Sequence, residues 1–270
     1  MVSKDYEPKG KYVEFDGVKT CELFPNLKLL FLNTSADQTG PSDAKHAILI
    51  VYDIFGYFPQ TIQGADILAY GDKEKPYQVF MPDFFEGKPA DMSWYPPDNE
   101  EKGKKLGEFF KTQAAPPKIV PRVPKIVESI KQQHSGLQTW AVVGYCWGGK
   151  IVNLTSQEGT LFKAAATCHP AMTDPNDASK VTIPIAVLPS KDEDEKAVSE
   201  YERNLKVPHI VEWFKDQIHG WMAARYEFDI ELSLPSRMLT IYSSNLEDEN
   251  VKKEYERGYK TLLDFFHQHV

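Results

Sequence analysis

Three side chains fit for acyl transfer, Cys146, Asp192 and His219, each follow an apolar run, in the chain order nucleophile, acid, histidine. The thiol sits in Gly144-Tyr145-Cys146-Trp147-Gly148-Gly149-Lys150. Before that stretch, Trp140-Ala141-Val142-Val143 reads as a fully buried strand. After it, Ile151-Val152-Asn153-Leu154 begins a helical pattern. A nucleophile on a sharp strand-to-helix turn takes a strained backbone conformation. Glycines two residues to either side remove the Cβ atoms that would clash with it. The spacing is that of the G-x-S-x-G nucleophile elbow, with cysteine in the serine position. A helix that starts just past the thiol brings positive dipole density to it and favours the thiolate.

A thiol nucleophile needs a base, a group that orients the base, and donors for the developing oxyanion. His219, in Ile218-His219-Gly220-Trp221 after the run Val207 to Phe214, is the expected base and later the acid for the leaving group. Lys191-Asp192-Glu193-Asp194-Glu195 follows the run Ile183 to Leu188 and reads mostly as a solvated helix start. One member at the strand end would fix the imidazole tautomer, and the position favours Asp192 over Asp194. The backbone N–H groups of Trp147 and Ile54 are the expected oxyanion donors. Asp53 ends a further apolar run. Cys168-His169 is not a second dyad, because adjacent residues on a strand point to opposite faces. Cys168 is therefore expected in the core and His169 in the pocket lining, with Cys21 an inert packed thiol.

These residues need a sheet to hold them at one edge. Ala47-Ile48-Leu49-Ile50-Val51 is a short continuous apolar run, as expected of a central parallel strand, and leads into Tyr52-Asp53-Ile54-Phe55-Gly56. Residues 60 to 70 follow with helical spacing, and Gln78-Val79-Phe80-Met81 is the next strand. That alternation predicts right-handed crossovers and a parallel sheet. Phe162 to Cys168, Ile183 to Leu188 and Val207 to Phe214 supply further strands. Leu27 to Leu32 reads as an antiparallel edge strand, and Ser35 to Lys45 as a loop by composition. Asn99 is placed to cap a charged helix through about residue 113. The prolines at 116, 117, 121 and 124 mark a kinked connection rather than a domain linker. The C-terminal segment from 247 is an amphipathic helix with Tyr255, Tyr259, Leu262, Leu263 and Phe266 on one stripe.

The 270 residues suffice for one large core, burying roughly 70–75% of the unfolded surface. A net charge of -8 with no basic patch argues against nucleic acid as partner. The three cysteines are too few and scattered for a disulfide framework or a zinc cage, which points to a reducing, cytoplasmic setting. The polar, charged start carries no secretory signal, and no apolar stretch approaches the ~20 residues needed to span a bilayer.

Gly-Tyr-Cys-Trp-Gly-Gly-Lys, with Asp-Ile-Phe-Gly at 53–56 and His-Gly-Trp at 219–221, resembles the dienelactone hydrolase family. Val51 to Gly56 and Met81-Pro82-Asp83-Phe84-Phe85-Glu86-Gly87 look most like its fungal members. The resemblance runs from about Ala47 to His219. It implies a single α/β-hydrolase-fold domain over 1–270, a mostly parallel sheet with helices on both faces, and residues 1–46 as an extension packed on the sheet edge. It implies cleavage of a small ester, lactone or thioester through a cysteinyl acyl-enzyme, with Cys146, Asp192 and His219 as triad and neither metal nor cofactor. Asp53 falls where bacterial members carry a glutamate that contacts the resting thiol, and Arg225 is a candidate for a substrate carboxylate. Phe55, Tyr57, Trp94, Tyr95, Trp147 and Trp221 suggest a partly apolar pocket, with ordinary core packing expected for about half of them. Two other classes stand beside the enzyme: a catalytically silent relative that binds a small molecule or partner protein, and a redox-responsive thiol protein. The expected partner is a small-molecule substrate, with no membrane, and the chain a monomer or homodimer.

Overall fold

A computed structural model of the chain describes residues 7–13, 36–223, 246 and 248–270. Its strands are β1 (Lys11–Val13), β2 (Ala36–Thr39), β3 (His46–Val51), β4 (Tyr77–Pro82), β5 (Thr139–Tyr145), β6 (Ala164–Cys168), β7 (Ile185–Leu188) and β8 (His209–Val211). They join one sheet in the order β1-β2-β4-β3-β5-β6-β7-β8. The pairings from β4 through β3 to β8 are parallel, and β1 and β2 add an antiparallel edge. The parallel strands from β3 to β7 are mostly apolar and largely buried, with all six residues of β4 and all of β6 and β7 buried, whereas β8 at the far edge is largely exposed.

The helices are α1 (Pro59–Tyr70), α2 (Glu100–Lys111), α3 (Pro116–Ile119), α4 (Arg122–Gln133), α5 (Trp147–Thr155), α6 (Pro175–Ala178), α7 (Glu195–Asn204) and α8 (Glu249–His269). Consecutive residues at the end of β5 show how they divide between the two faces. Gly144 meets Gly148 and Gly149 of α5, whereas the hydroxyl of Tyr145 donates to that of Tyr259 in α8 at 3.1 Å. α1 packs with α8 on the Tyr145 side, and α3 and α6 pack with α5 on the other.

Register brings the strand ends level. Val51 pairs with Gly144, Tyr145 with Cys168, and Cys168 with Leu188. The segments beginning at Tyr52, Cys146, His169 and Pro189 therefore leave the sheet at one edge. From β3 the chain first goes to β4 on one side and later to β5 on the other. β3 and β5 thus flank the point where strand order reverses, where sheets of this kind leave a crevice.

Several sequence expectations are adjusted. The segment 35–45, expected as loop, contains β2, whose Ala36 to Thr39 pair antiparallel with Pro82 to Val79. Its composition, Ala-Asp-Gln-Thr, has no strand signature, and it is held by backbone pairing to β4. The strand expected over Val207 to Phe214 shrinks to β8, with Phe214 reaching Ser190 through an isolated bridge. The strand expected at Leu27 to Leu32, and Cys21, lie outside the described residues. Asn99 caps α2, its Oδ1 accepting the Lys102 N–H at 2.9 Å. Pro116 opens α3 and Pro121 stands at the cap of α4, positions where a missing N–H costs no helical bond. In α8 the expected stripe of Tyr255, Tyr259, Leu262, Leu263 and Phe266 is buried. No helix among the described residues is long and apolar enough to cross a membrane.

Candidate active site

Cys146 stands between β5 and α5 with φ 51° and ψ −114°, a conformation few side-chain-bearing residues adopt. The neighbouring glycines make room for it. A Cβ on Gly144 would run into the carbonyl of Gly148, and one on Gly148 into the carbonyl of Val51 at the end of β3. The Cys146 N–H donates to the Cys168 carbonyl at 3.1 Å, and its own carbonyl accepts from Gly149 and Ala171, both at 3.0 Å. Trp147 anchors the start of α5 from below. Its indole N–H donates to the Ala114 carbonyl at 2.8 Å, and its ring lies 4.8 Å from that of Phe85.

The imidazole of His219 is hydrogen-bonded to the Cys146 side chain. On its other side, Nδ1 lies 2.6 Å from Oε1 of Glu193. This corrects the acid: Asp192 does not hold the ring but accepts the backbone N–H of His219 through Oδ2 at 2.8 Å. Asp194 caps α7, accepting from Lys196 and Ala197 at 2.8 and 3.1 Å. Glu193, buried, also accepts the Ser190 N–H. The loop that carries it is tied to the histidine loop by Lys191 N–H to Gln217 carbonyl (3.0 Å) and Phe214 N–H to Pro189 carbonyl (2.8 Å). From that anchored loop the longer glutamate side chain spans to the imidazole, while the shorter aspartate beside it meets the backbone. Burial pushes the His219 pKa down. Charge and hydrogen bonding from Cys146 and Glu193 push it up and prevail, well above the ordinary histidine value.

The amides of Ile54 and Trp147 lie at the ends of the adjacent strands β3 and β5, and among the described residues neither donates to a backbone acceptor. Asp53, buried at the end of β3, accepts the Phe55 N–H at 2.8 Å, and its carbonyl accepts from Gly56 at 3.3 Å. These bonds shape the turn that presents Ile54. The Ile54 carbonyl in turn accepts from Ala90, which begins the loop carrying Trp94 and Tyr95.

The other expected site residues divide. Phe55 is half-buried, edge-on to the ring of exposed Tyr95 at 6.3 Å, and Trp94 is half-buried against Phe109 at 6.4 Å. Tyr57 packs edge-on to Tyr52 and donates to the Met81 carbonyl at 2.7 Å. Trp221 and Trp147 are fully buried, the former stacked on Phe214 at 4.3 Å, so both indoles belong to the core rather than to a pocket wall. His169 is also fully buried and lies against the His219 ring, not on an open pocket surface. Cys168 is in the core, where burial pushes its thiol pKa far up. Arg225 lies outside the described residues. Glu193 is the site residue missed in the sequence. Its signal was the run of four acidic residues, any one of which could have faced the histidine.

A mostly parallel sheet, eight-stranded among the described residues, with a strained strand-to-helix turn at Cys146 after β5, is the arrangement of the α/β-hydrolase class. Residues 35–270 match the dienelactone hydrolase family, and the chain belongs to that family, whose members are hydrolases acting on ester bonds. An uncharacterized AIM2 family protein of Schizosaccharomyces pombe is 31% identical over 98% of this chain and 93% of its own. The human carboxymethylenebutenolidase homolog is 28% identical over 69% of this chain and 75% of its own. The crystal structure of dienelactone hydrolase from Anabaena variabilis superposes with a TM-score of 0.60 over 98% of this chain and 100% of that one; at 10% identity the likeness is one of fold.

Proposed function

We propose that the chain hydrolyses small esters, lactones or thioesters through a cysteinyl acyl-enzyme, with Cys146 as nucleophile, His219 as general base and Glu193 as the acid that orients it. The observation that carries this reading is the continuous contact from the elbow thiol through the imidazole to a buried carboxylate. His219 takes the Cys146 proton, and the sulfur attacks the substrate carbonyl carbon. Negative charge develops on the carbonyl oxygen between the Ile54 and Trp147 amides, which among the described residues donate to no backbone acceptor. The imidazolium then protonates the departing alcohol, thiol or ring oxygen, and the carbonyl re-forms as a thioester to Cys146. A water molecule deprotonated by His219 attacks that thioester, and the thiol leaves with the proton. Glu193 balances the imidazolium at both stages and holds its tautomer, while Asp192 and the Ser190 amide hold the frame. The lactone reading draws on the name carboxymethylenebutenolidase homolog borne by the human relative. Half-buried Phe55 and Trp94 and exposed Tyr95 suit a substrate with an apolar or aromatic portion.

Turnover of a panel of aryl esters, lactones and thioesters by wild type and Cys146→Ala tests the reading. At least one class should be hydrolysed, and the variant should lose roughly 10³-fold or more in kcat. A Cys146→Ala protein as active as wild type would overturn it.

A further inference from the structure

Nucleophile and base enter the site on separate elements, and three consecutive residues of α8 touch what carries them. The histidine loop runs from Phe214 to Trp221, and the rings at its two ends stack at 4.3 Å, closing it at the neck. The guanidinium of Arg257 lies 3.8 Å from the Phe214 ring centroid, held there by Glu212 and by Glu254, whose Oε2 accepts from Nε at 2.9 Å. At Gly258 an added Cβ would fall 2.4 Å from the Trp221 indole. The Tyr259 hydroxyl donates at 3.2 Å to the carbonyl of Met222, in the segment that continues from His219. It also accepts at 3.1 Å from Tyr145, the residue before the nucleophile. α1 leaves room for the same hydroxyl, since a Cβ on Gly64 would lie 1.8 Å from it. Glycine inside a helix is less stable than alanine, so both helices give up stability where these close approaches occur. The Tyr255 hydroxyl, in the same cluster, donates to the Gln60 carbonyl at 2.7 Å and is hydrogen-bonded to Tyr259. A phenyl ring would fill the space of Tyr259 equally well. What the hydroxyl adds is a bridge that leads to Cys146 at one end and to the His219 loop at the other.

We propose that Tyr259 is a positioning residue: its buried hydroxyl, with Arg257 and Gly258 beside it, sets the separation of His219 from Cys146. This deepens the mechanism proposed above and rests on the Cys146–His219 pair. The backbone bonds from Lys191 to Gln217 and from Phe214 to Pro189 join the histidine loop to the acid loop, not to the elbow. The bridge through Tyr259 supplies that second join. A misplacement of about 1 Å in a reacting pair can cost roughly 10²-fold in rate, so one hydroxyl at the joint has a kinetic effect beyond its packing.

Tyr259→Phe, which removes the hydroxyl and keeps the ring, is the test. Its kcat for 4-nitrophenyl acetate should fall roughly tenfold with KM within about twofold of wild type. The pH midpoint of Cys146 alkylation by iodoacetamide, read by peptide mass, should rise by about half a unit, because a more distant imidazolium stabilises the thiolate less. Among the described residues, the titratable groups around the His219 ring are Cys146, His169, Asp192 and Glu193, and the variant alters none of them. Tyr145→Phe removes the other partner of the bridge, and the double variant should lose no more than either single one, as expected of a shared bond. Val127→Ala, buried on α4 and in none of these contacts, is the control: the urea midpoint should fall while kinetics and alkylation stay as in wild type. Wild-type kcat and a superimposed alkylation profile in Tyr259→Phe would overturn the proposal even if stability falls, and so would an equal change in Val127→Ala. If the alkylation profile of His219→Asn superimposes on wild type, it is the Cys146–His219 pair that fails, and the bridge has nothing to position. Should Tyr259→Phe not fold, Arg257→Gln, half-buried on the same face of α8, carries the test. Its kcat should fall about threefold, and wild-type kinetics and alkylation would overturn the proposal.

Discussion

Glu193 and Asp192 are adjacent carboxylates with different contacts, and exchanging each for its amide separates what they do. Glu193→Gln keeps the shape but removes the charge that faces the imidazolium. A fall in kcat of roughly 10³–10⁴-fold is expected, on the scale of the acid-to-amide change in the Ser-His-Asp template. Asp192→Asn keeps an oxygen able to accept the His219 N–H, and its kcat should stay within about tenfold of wild type. Steady-state kinetics on the two variants check the ranking, and the reverse order would return the acid to position 192. The thiol and the histidine were legible from sequence because each stands alone after an apolar run, with glycine spacing or Gly-Trp to mark it. The acid was not. Four consecutive acidic residues follow β7, and their assignment depends on how the loop turns: one caps a helix, one takes a backbone amide, and one reaches the ring.

The elbow works as an element only because two backbones can close on it. At Gly148 an added Cβ meets the carbonyls of Val51 and Tyr52, which are backbone and cannot swing aside. Gly148→Ala should therefore destabilise the fold by about 1–3 kcal/mol and displace Cys146. Gly103→Ala on α2 is the control. No atom lies within 4 Å of the added Cβ, and the helix should gain about 0.5–1 kcal/mol. Urea midpoints for the two variants should move in opposite directions. The same contrast governs which elements could be read in advance. β3 to β7 are sheathed on both faces and announce themselves as apolar runs, and α8 does so by its buried stripe. β2 carries Ala-Asp-Gln-Thr, and what makes it a strand is the pairing with β4, a long-range contact that no local pattern encodes.

Across the whole molecule, the N-terminal elements are joined to the sheet partly through one buried carboxylate. Asp66 on α1 accepts the Lys9 backbone N–H at 2.9 Å and the Thr39 hydroxyl. Burial raises its pKa to about 6, against the opposing hydrogen bond from Lys9. The folded chain therefore holds this proton more tightly than the unfolded chain, whose aspartates titrate near about 3.9. The stabilisation is fully present below that value and is lost as pH rises through about 6. Denaturant midpoints should accordingly fall between pH 4 and 7 in wild type, and fall less in Asp66→Asn. Equal slopes would show that other groups set the pH dependence. At this scale the sequence was most informative about architecture, because strand-helix alternation restricts a chain of this size to few topologies, and the observed order is one of them. What the alternation cannot report is which loop residues meet across the strand ends, since those contacts depend on register and loop path.

The central claim is that Cys146 carries the acyl group during turnover. Mixing the protein with an activated aryl ester, quenching in acid within the first turnover and mapping the peptides by mass spectrometry tests it directly. The account predicts a burst of aryl alcohol matched by an acyl adduct on Cys146, slow to decay in Glu193→Gln. Turnover with no adduct on Cys146, or with the acyl group on another side chain, would contradict it.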